Sequence, residues 1–307
     1  MMAPSRAILI ASLVIGLPAI SAWGQVPQLP TEISGIRFNS GQDIVPYFEG
    51  WIRNPDGTFD LVFGYFNRNW QQELVIPSGP DNAIEPGGPD KGQPTYFLPR
   101  RQRWIFRVRV PADFGNKEIT WTIRANGKSE KAYGSLLPAQ EINERIVRTN
   151  GTLDPGDGDS NEPPLITTAA TQTTSVSRPL ALTITVADDG LPKLRAPRTS
   201  RPATSAFGGQ IDRPDAGGPK GLSASWLQYA GPARATFDNA GAIPITNGQA
   251  TTTVRFSQPG KYILRITVTD GALSSIKDVT VTVTPQYWLV LRHCDNELPA
   301  VLADVLR

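Results

Sequence analysis

Residues 101–110 alternate between large apolar and cationic side chains, and this period of two constrains the fold more than any other feature. Successive side chains of a β-strand point to opposite faces of its sheet. The segment therefore predicts a strand, interrupted only at Ile105. Four apolar side chains form the predicted core face: Trp104, Phe106, Val108 and Val110. Four cations form the opposite face: Arg101, Arg103, Arg107 and Arg109.

Similar alternation recurs along the chain and predicts many further strands. It is found at residues 118–124, 180–186, 222–229, 250–256, 262–269 and 279–283, and hairpin patterns predict further strands at 45–53, 58–66 and near 129–136. Asn54-Pro55-Asp56-Gly57 and Asn126-Gly127 have the composition of tight turns between paired strands. The chain also contains 28 glycines and 28 prolines, which disfavour a helical bundle. These features predict an all-β protein.

Two modules are expected, because 307 residues exceed the usual size of one sandwich domain. Residues 149–164 have four acidic side chains, no basic one and no apolar period, so they predict a flexible acidic Gly/Pro linker. An aromatic-rich β-sandwich is predicted at 26–148 and a second sandwich at 165–285. Seven apolar residues are predicted for the first core: Phe59, Leu61, Phe63, Trp104, Phe106, Trp121 and Ile123.

Two segments fit neither module. A basic, Pro- and Gly-rich insertion at residues 191–222 has no periodic pattern. Residues 286–307 form a C-terminal tail, either a short helix or a non-native extension. The tail holds the single histidine and the single cysteine, His293 and Cys294. Adjacent positions in a tail do not predict a catalytic dyad, and one cysteine cannot form an internal disulfide.

The first 24 residues resemble a secretory signal peptide. Arg6 precedes an apolar run at residues 7–20, and small residues at Ala22 and Gly24 suit signal peptidase. An uncleaved anchor is the alternative, but the run is shorter than the roughly 20 residues a spanning helix needs. We therefore expect a periplasmic or secreted protein with no transmembrane anchor after cleavage. Thirty basic and 28 acidic side chains give a net charge of +2, which does not predict a nucleic-acid partner.

The second module carries motifs of a known family. In order these are Asp188-Asp189-Gly190, Trp226-x-Gln228-x-x-Gly231-Pro232, Pro259-Gly260-x-Tyr262 and Val268-Thr269-Asp270-Gly271. Over residues 165–285 the chain closely resembles the PKD-like immunoglobulin domains of secreted bacterial proteins. The resemblance implies an immunoglobulin-like sandwich in which Trp226 and Tyr262 are buried, with Leu264 at the position of the usual second cysteine. The first module carries Glu49-Gly50-Trp51, Asn54-Pro55-Asp56-Gly57 and Phe63-Gly64-Tyr65-x-Asn67-Arg68. With these motifs it is similar to a segment of exported bacterial proteins, a resemblance that implies no activity.

Candidate binding groups occur in both modules. In an immunoglobulin-like fold Asp188, Asp189 and Asp270 are expected at one pole, which makes them a candidate calcium site or ordinary turn residues. The arginine face of residues 101–109 predicts either contact with an anionic envelope polymer or ion pairs with carboxylates such as Glu118. Five aromatic side chains are candidates for a sugar-stacking platform or for the core: Tyr47, Trp51, Tyr65, Phe66 and Trp70.

These features favour an exported, non-catalytic binding or scaffolding protein of the bacterial envelope. Adhesion, envelope organisation and carbohydrate contact are the expected roles, with an envelope polysaccharide or protein as partner. Calcium is the only cofactor suggested. The alternative is a secreted hydrolase that uses carboxylates of the first module. Its candidates surround the loop at residues 77–94: Glu49, Asp81, Glu85 and Asp90.

Overall fold

The computed structural model describes residues 37–151, 160–193, 221–239 and 241–285. Within these residues the chain is almost entirely β, which confirms the predicted fold class. The first module contains β1 Ile44–Arg53, β2 Phe59–Asn67, β3 Leu74–Val75, β4 Asn82–Glu85, β5 Tyr96–Phe97, β6 Arg100–Val110, β7 Ile119–Ala125 and β8 Lys128–Gly134. A 3₁₀ turn at Pro138–Gln140 and a short helix α1 at Glu144–Arg148 follow.

The second module contains the remaining described strands. They are β9 Leu165–Thr167, β10 Thr171–Ser175, β11 Leu180–Ala187, β12 Ser223–Ala230, β13 Ala235–Phe237, β14 Ile243–Pro244, β15 Gln249–Phe256, β16 Gly260–Thr269 and β17 Ser274–Thr284. Each long strand overlaps a segment predicted from alternation or from a hairpin turn, so those predictions are confirmed.

The first module is a sandwich of two three-stranded sheets, in the orders β1-β2-β6 and β4-β7-β8. Both hairpins have the predicted turns. Asn126 and Gly127 have φ values of 49° and 78°, the left-handed conformation that a two-residue hairpin turn requires. Between the sheets, the ring of Phe63 stacks on Phe106 at 5.3 Å, and Trp121 meets Phe106 edge-on at 4.8 Å. Six of the seven predicted core residues lie in this cluster.

Trp104 is the exception, and its predicted place beside Phe106 is wrong. The register of β2 and β6 shifts between Phe63 and Tyr65, where β6 inserts extra residues, and Trp104 has a positive φ of 55°. The bulge moves the indole to the outer face of the β1-β2-β6 sheet. There it packs with Ile52 and Val62 in a separate cluster beneath α1.

The second module is a sandwich of a five-stranded sheet, β10-β17-β16-β12-β14, and a four-stranded sheet, β13-β15-β11-β9. Trp226, Tyr262 and Leu264 are buried between them, as predicted. The hydroxyl of Tyr262 donates to the carbonyl of Gln258 at 2.9 Å, which fixes the corner before β16.

The two modules contact one another directly within one compact unit, although the sequence predicts only a flexible connection. Tyr229 of β12 belongs to the first module's apolar cluster, and its hydroxyl donates to the carbonyl of Gly92. Arg265 of β16 donates to the carbonyl of Ile105 in β6. The amide of Thr95 donates to the carbonyl of Tyr229 at 3.2 Å. These contacts hold the two modules together at a shared surface.

Several predicted segments lie outside the described residues. These are the signal peptide, residues 152–159 of the predicted linker at 149–164, residues 194–220 of the predicted insertion at 191–222, and the tail with His293 and Cys294. Of the helices that the structure describes, none is long and apolar enough to cross a membrane.

Candidate functional site

One end of the outer face of the β1-β2-β6 sheet presents aromatic side chains to solvent. Phe63 and Tyr65 point into the core, so the alternation of β2 directs Gly64 and Phe66 outward. Tyr47 lies opposite Gly64 on β1 and is 42% exposed; Trp70, just beyond β2, is 38% exposed. We call these three aromatic residues and their neighbouring arginines the aromatic face: Tyr47, Phe66, Trp70, Arg37, Arg100 and Arg101.

A guanidinium group stacks on each ring of the aromatic face. The guanidinium carbon of Arg100 lies 4.7 Å from the ring centre of Phe66 and 4.2 Å from that of Trp70. Arg37 stacks on Trp70 at 4.4 Å. Arg101 lies 4.2 Å from the ring centre of Tyr47. Such stacking stabilises the cation and fixes its orientation.

The absence of a side chain at Gly64 allows Arg101 to reach across β2. A Cβ at position 64 would collide with Oε1 of Glu49 and with the backbone of β6. Through this gap Nη2 of Arg101 donates to Glu49 Oε1 at 2.6 Å. Burial nevertheless raises the pKa of Glu49 above its usual value, despite the opposing charges of Arg101 and Arg103.

Cations outnumber carboxylates around the aromatic face. Asp43 is 1% exposed, and it pairs with Arg68 at 3.2 Å and with Lys128 at 3.6 Å. Glu49 is buried against Arg101. By contrast, neither Arg37 nor Arg100 pairs with a carboxylate among the residues that the structure describes. The exposed surface is therefore cationic.

The four arginines predicted as one cationic face are engaged within the chain. Arg107 pairs with Glu144 of α1, and Arg109 donates to Asp60 at 2.9 Å. Arg101 pairs with Glu49, as above. Arg103 stacks on Trp104 at 4.7 Å and donates to the carbonyl of Asn150. Three of the four arginines are thus paired with carboxylates, as the alternative interpretation predicted, whereas Arg103 is not, and Glu118 is not among the carboxylates found.

These ion pairs also fix the segment that covers the other end of the sheet. Asn143 caps α1 because its side chain accepts a hydrogen bond from the amide of Ile146. The hydrogen bond from Arg107 lowers the pKa of Glu144, the first residue of α1. Ile142 and Val147 pack on the Trp104 cluster. The segment with α1 therefore covers the Trp104 cluster on the outer face, whereas Tyr47 and Trp70 at the aromatic end are exposed.

The five aromatic candidates divide between core and surface. Trp51 and Tyr65 are buried, and the indole N–H of Trp51 donates to the carbonyl of Leu137 at 2.8 Å. Tyr47, Phe66 and Trp70 lie on the aromatic face. Sequence reasoning missed Arg37 and Arg100, because neither belongs to the alternating pattern that identified the other arginines.

The three candidate calcium ligands serve as turn acceptors. Asp188 Oδ2 accepts from the amide of Gly190, Asp189 accepts from two amides, and Asp270 Oδ1 accepts from those of Ala272 and Leu273. Burial raises the pKa of Asp188, and the charges of Asp270 and Asp189 add to the increase. Asp270 Oδ2 is buried without a hydrogen-bond partner. Within the described ranges, no group of three His, Cys, Asp or Glu side chains is placed to hold a metal.

The carboxylates of the hydrolase alternative are spread over the first module. Glu49 lies on the outer face of one sheet and Glu85 on that of the other. Asp81 pairs with Arg124 at 3.9 Å, and Asp90 accepts from the amide of Gly92. Glu85 lines an open groove of about 440 Å³ that also contains Arg124 and Lys131. The structure thus does not bring Glu49 together with the other three carboxylates.

No family model matches the chain, and no curated protein matches it. Solved structures similar to it include the D00-D0 domain of intimin, with 13% identity and a TM-score of 0.26 over 79% of this chain and all of that one. The PKD domain of human KIAA0319 has 13% identity and a TM-score of 0.23, over 45% of this chain and 95% of that one. An endo-fucoidan hydrolase of glycoside hydrolase family 107 has 13% identity and a TM-score of 0.23, over 81% of this chain and 28% of the enzyme. These scores are too low to assign a fold or a function.

Proposed function

We propose that this chain is a non-catalytic binding protein of the bacterial envelope that holds its partner on the aromatic face. The observation that carries the proposal is the exposure of Tyr47 and Trp70 beside stacked arginines, on the same outer sheet face as the Trp104 cluster that α1 covers. Trp, Tyr and Arg are the residue types most enriched among those that dominate binding energy. Clusters of exposed aromatic side chains commonly mark interaction sites.

The shape of the site supports binding more than catalysis. The aromatic face is part of a sheet surface, whereas catalytic sites commonly occupy a concave pocket with converging polar groups. The two carboxylates beside it, Asp43 and Glu49, are buried in ion pairs with basic side chains. The signal-like sequence at residues 1–24 supports an envelope address.

Retention of the purified full-length chain on immobilised bacterial envelope extract tests the proposal. The double variant Tyr47→Ala/Trp70→Ala removes both exposed rings and is expected to weaken retention at least about tenfold, the effect of two modest hot spots. Tyr133→Ala is the matched control, because Tyr133 is 53% exposed on β8 of the other sheet. Equal retention of all three proteins, or no retention of the parent, would contradict the proposal.

A further inference from the structure

The rings of the aromatic face are already covered by guanidinium groups, and this limits what the face can bind. A neutral sugar or a nucleic-acid base stacks on an open ring. Here Trp70 is contacted by Arg37 and Arg100, Phe66 by Arg100 and Tyr47 by Arg101. A neutral ring that stacks on one of these covered ring faces would have to displace a cation. The groups that the face offers to a partner are therefore guanidinium N–H donors.

Arg37 and Arg100 are the cations available to a partner. Arg101, Arg107 and Arg109 are each paired with a carboxylate, whereas Arg37 and Arg100 pair with none among the described residues. Both stack on the same indole, and Arg100 also donates to the carbonyl of Arg68 at 3.3 Å. This preorganisation lowers the entropy lost when an anion binds. A planar guanidinium also matches the two oxygens of a carboxylate.

From this geometry we infer that the partner is an acidic polysaccharide, whose carboxylates are bound by Arg37 and Arg100. The inference rests on the proposed binding role of the aromatic face. Two guanidiniums on one ring can bind anionic groups of neighbouring sugar units, while the part of Tyr47 that Arg101 leaves exposed lies beside them for contact with the C–H groups of the sugars. The open sheet surface suits an extended polymer better than a small enclosed ligand.

Nucleic acid fits the same surface less well. Proteins that hold single strands combine cationic grooves with open aromatic rings on which bases stack, and here those rings are covered. The whole chain has a net charge of only +2, so it lacks the broad positive field of nucleic-acid binding proteins.

Binding of the full-length chain to polygalacturonate, compared with the same polymer after methyl esterification, tests the inference. Esterification removes the charge but keeps the sugar backbone. We expect the acidic form to bind at least about tenfold more tightly, and we expect that binding to weaken as sodium chloride is raised. The double variant Arg37→Gln/Arg100→Gln should lose most of the difference. Arg124→Gln/Lys131→Gln is the matched control, because it removes the same charge from the outer face of the other sheet. This control variant should still bind the acidic polymer more tightly than the esterified one.

Three further polyanions distinguish other sources of negative charge: single-stranded DNA, poly-glutamate and phosphatidylglycerol vesicles. Binding to any of them as tight as to polygalacturonate would overturn the inference. So would equal affinity for the acidic and esterified polymers, or equal losses in the two double variants. Each of these results leaves the proposed binding role intact if Tyr47→Ala/Trp70→Ala still abolishes retention on envelope extract. Failure of that retention test identifies an error in the proposed function itself.

Discussion

Arg265 joins the two modules, and its replacement by methionine should weaken the whole described unit. The side chain is 11% exposed and donates to both carboxylate oxygens of Asp278, at 2.7 and 2.8 Å. It also donates to the carbonyl of Ile105 and stacks on Tyr229 at 4.0 Å. Methionine keeps an apolar stem of similar length but supplies no donor, so Arg265→Met removes all of these interactions together.

The expected cost follows from the surroundings of each partner. Loss of the donor to the Ile105 carbonyl costs about 1–3 kcal/mol where the group stays shielded from water. The stacking on Tyr229 contributes about 0.5–2 kcal/mol. The side chain of Asp278 is 40% exposed and regains water, so its pair adds at most about 1 kcal/mol. A total near 3 kcal/mol lowers the thermal midpoint by roughly 6–12 °C for a unit of this size.

Differential scanning calorimetry of the full-length chain measures this shift. Arg255→Met is the matched control, because Arg255 pairs with Asp238 away from the junction and both side chains are about half exposed. That pair should contribute less than about 1 kcal/mol. We also expect Arg265→Met to separate the transitions of the two modules, since it loosens the contact between them. An unchanged midpoint, or equal shifts in both variants, would refute the claim that Arg265 holds the two modules together.

Three further predictions concern the second module and α1. Trp226→Ala should cost about 3–5 kcal/mol by emptying the second core, and an unchanged midpoint in denaturant unfolding would show that Trp226 is not a core residue. Arg107 lowers the pKa of Glu144 in the folded chain. Glu144 therefore stabilises the fold at pH values above its unfolded pKa of about 4.3, and this stabilisation is lost as the pH falls through the lower pKa of the folded state. Glu144→Gln should therefore reduce the fall in thermal midpoint on acidification, and an identical pH profile would contradict the pair. If Asp270 helps to bind calcium, the midpoint should be several degrees higher in millimolar calcium than in chelator, with no difference in Asp270→Asn.

Local patterns were sufficient to predict most of the fold. Asn126-Gly127 adopts the left-handed turn that its composition favours, and alternation together with hairpin turns located every long strand that the structure describes. Trp104 was misplaced because a bulge depends on how β6 pairs with β2, and alternation within one strand carries no information about its partner.

The candidate site was less predictable because its contacts are distant in sequence. Glu49 and Arg101 are 52 residues apart and meet only because Gly64 leaves a gap between them. The sequence identified Tyr47 and Trp70 as aromatic candidates but did not show that they remain at the surface. The contact between the two modules joins residues still further apart in sequence, because Arg265 donates to a carbonyl 160 residues away. Such pairs follow from packing of complete sheets, which local propensity does not encode.

Binding without chemical change is the central claim, and one incubation tests it most directly. The full-length chain is mixed with bacterial envelope polysaccharide, and the bound protein, the polymer length and the number of reducing ends are measured in the same sample. We predict bound protein, unchanged polymer length and no new reducing ends over time. Shortened polymer with new reducing ends would instead support the hydrolase alternative, and the absence of bound protein would contradict the binding role.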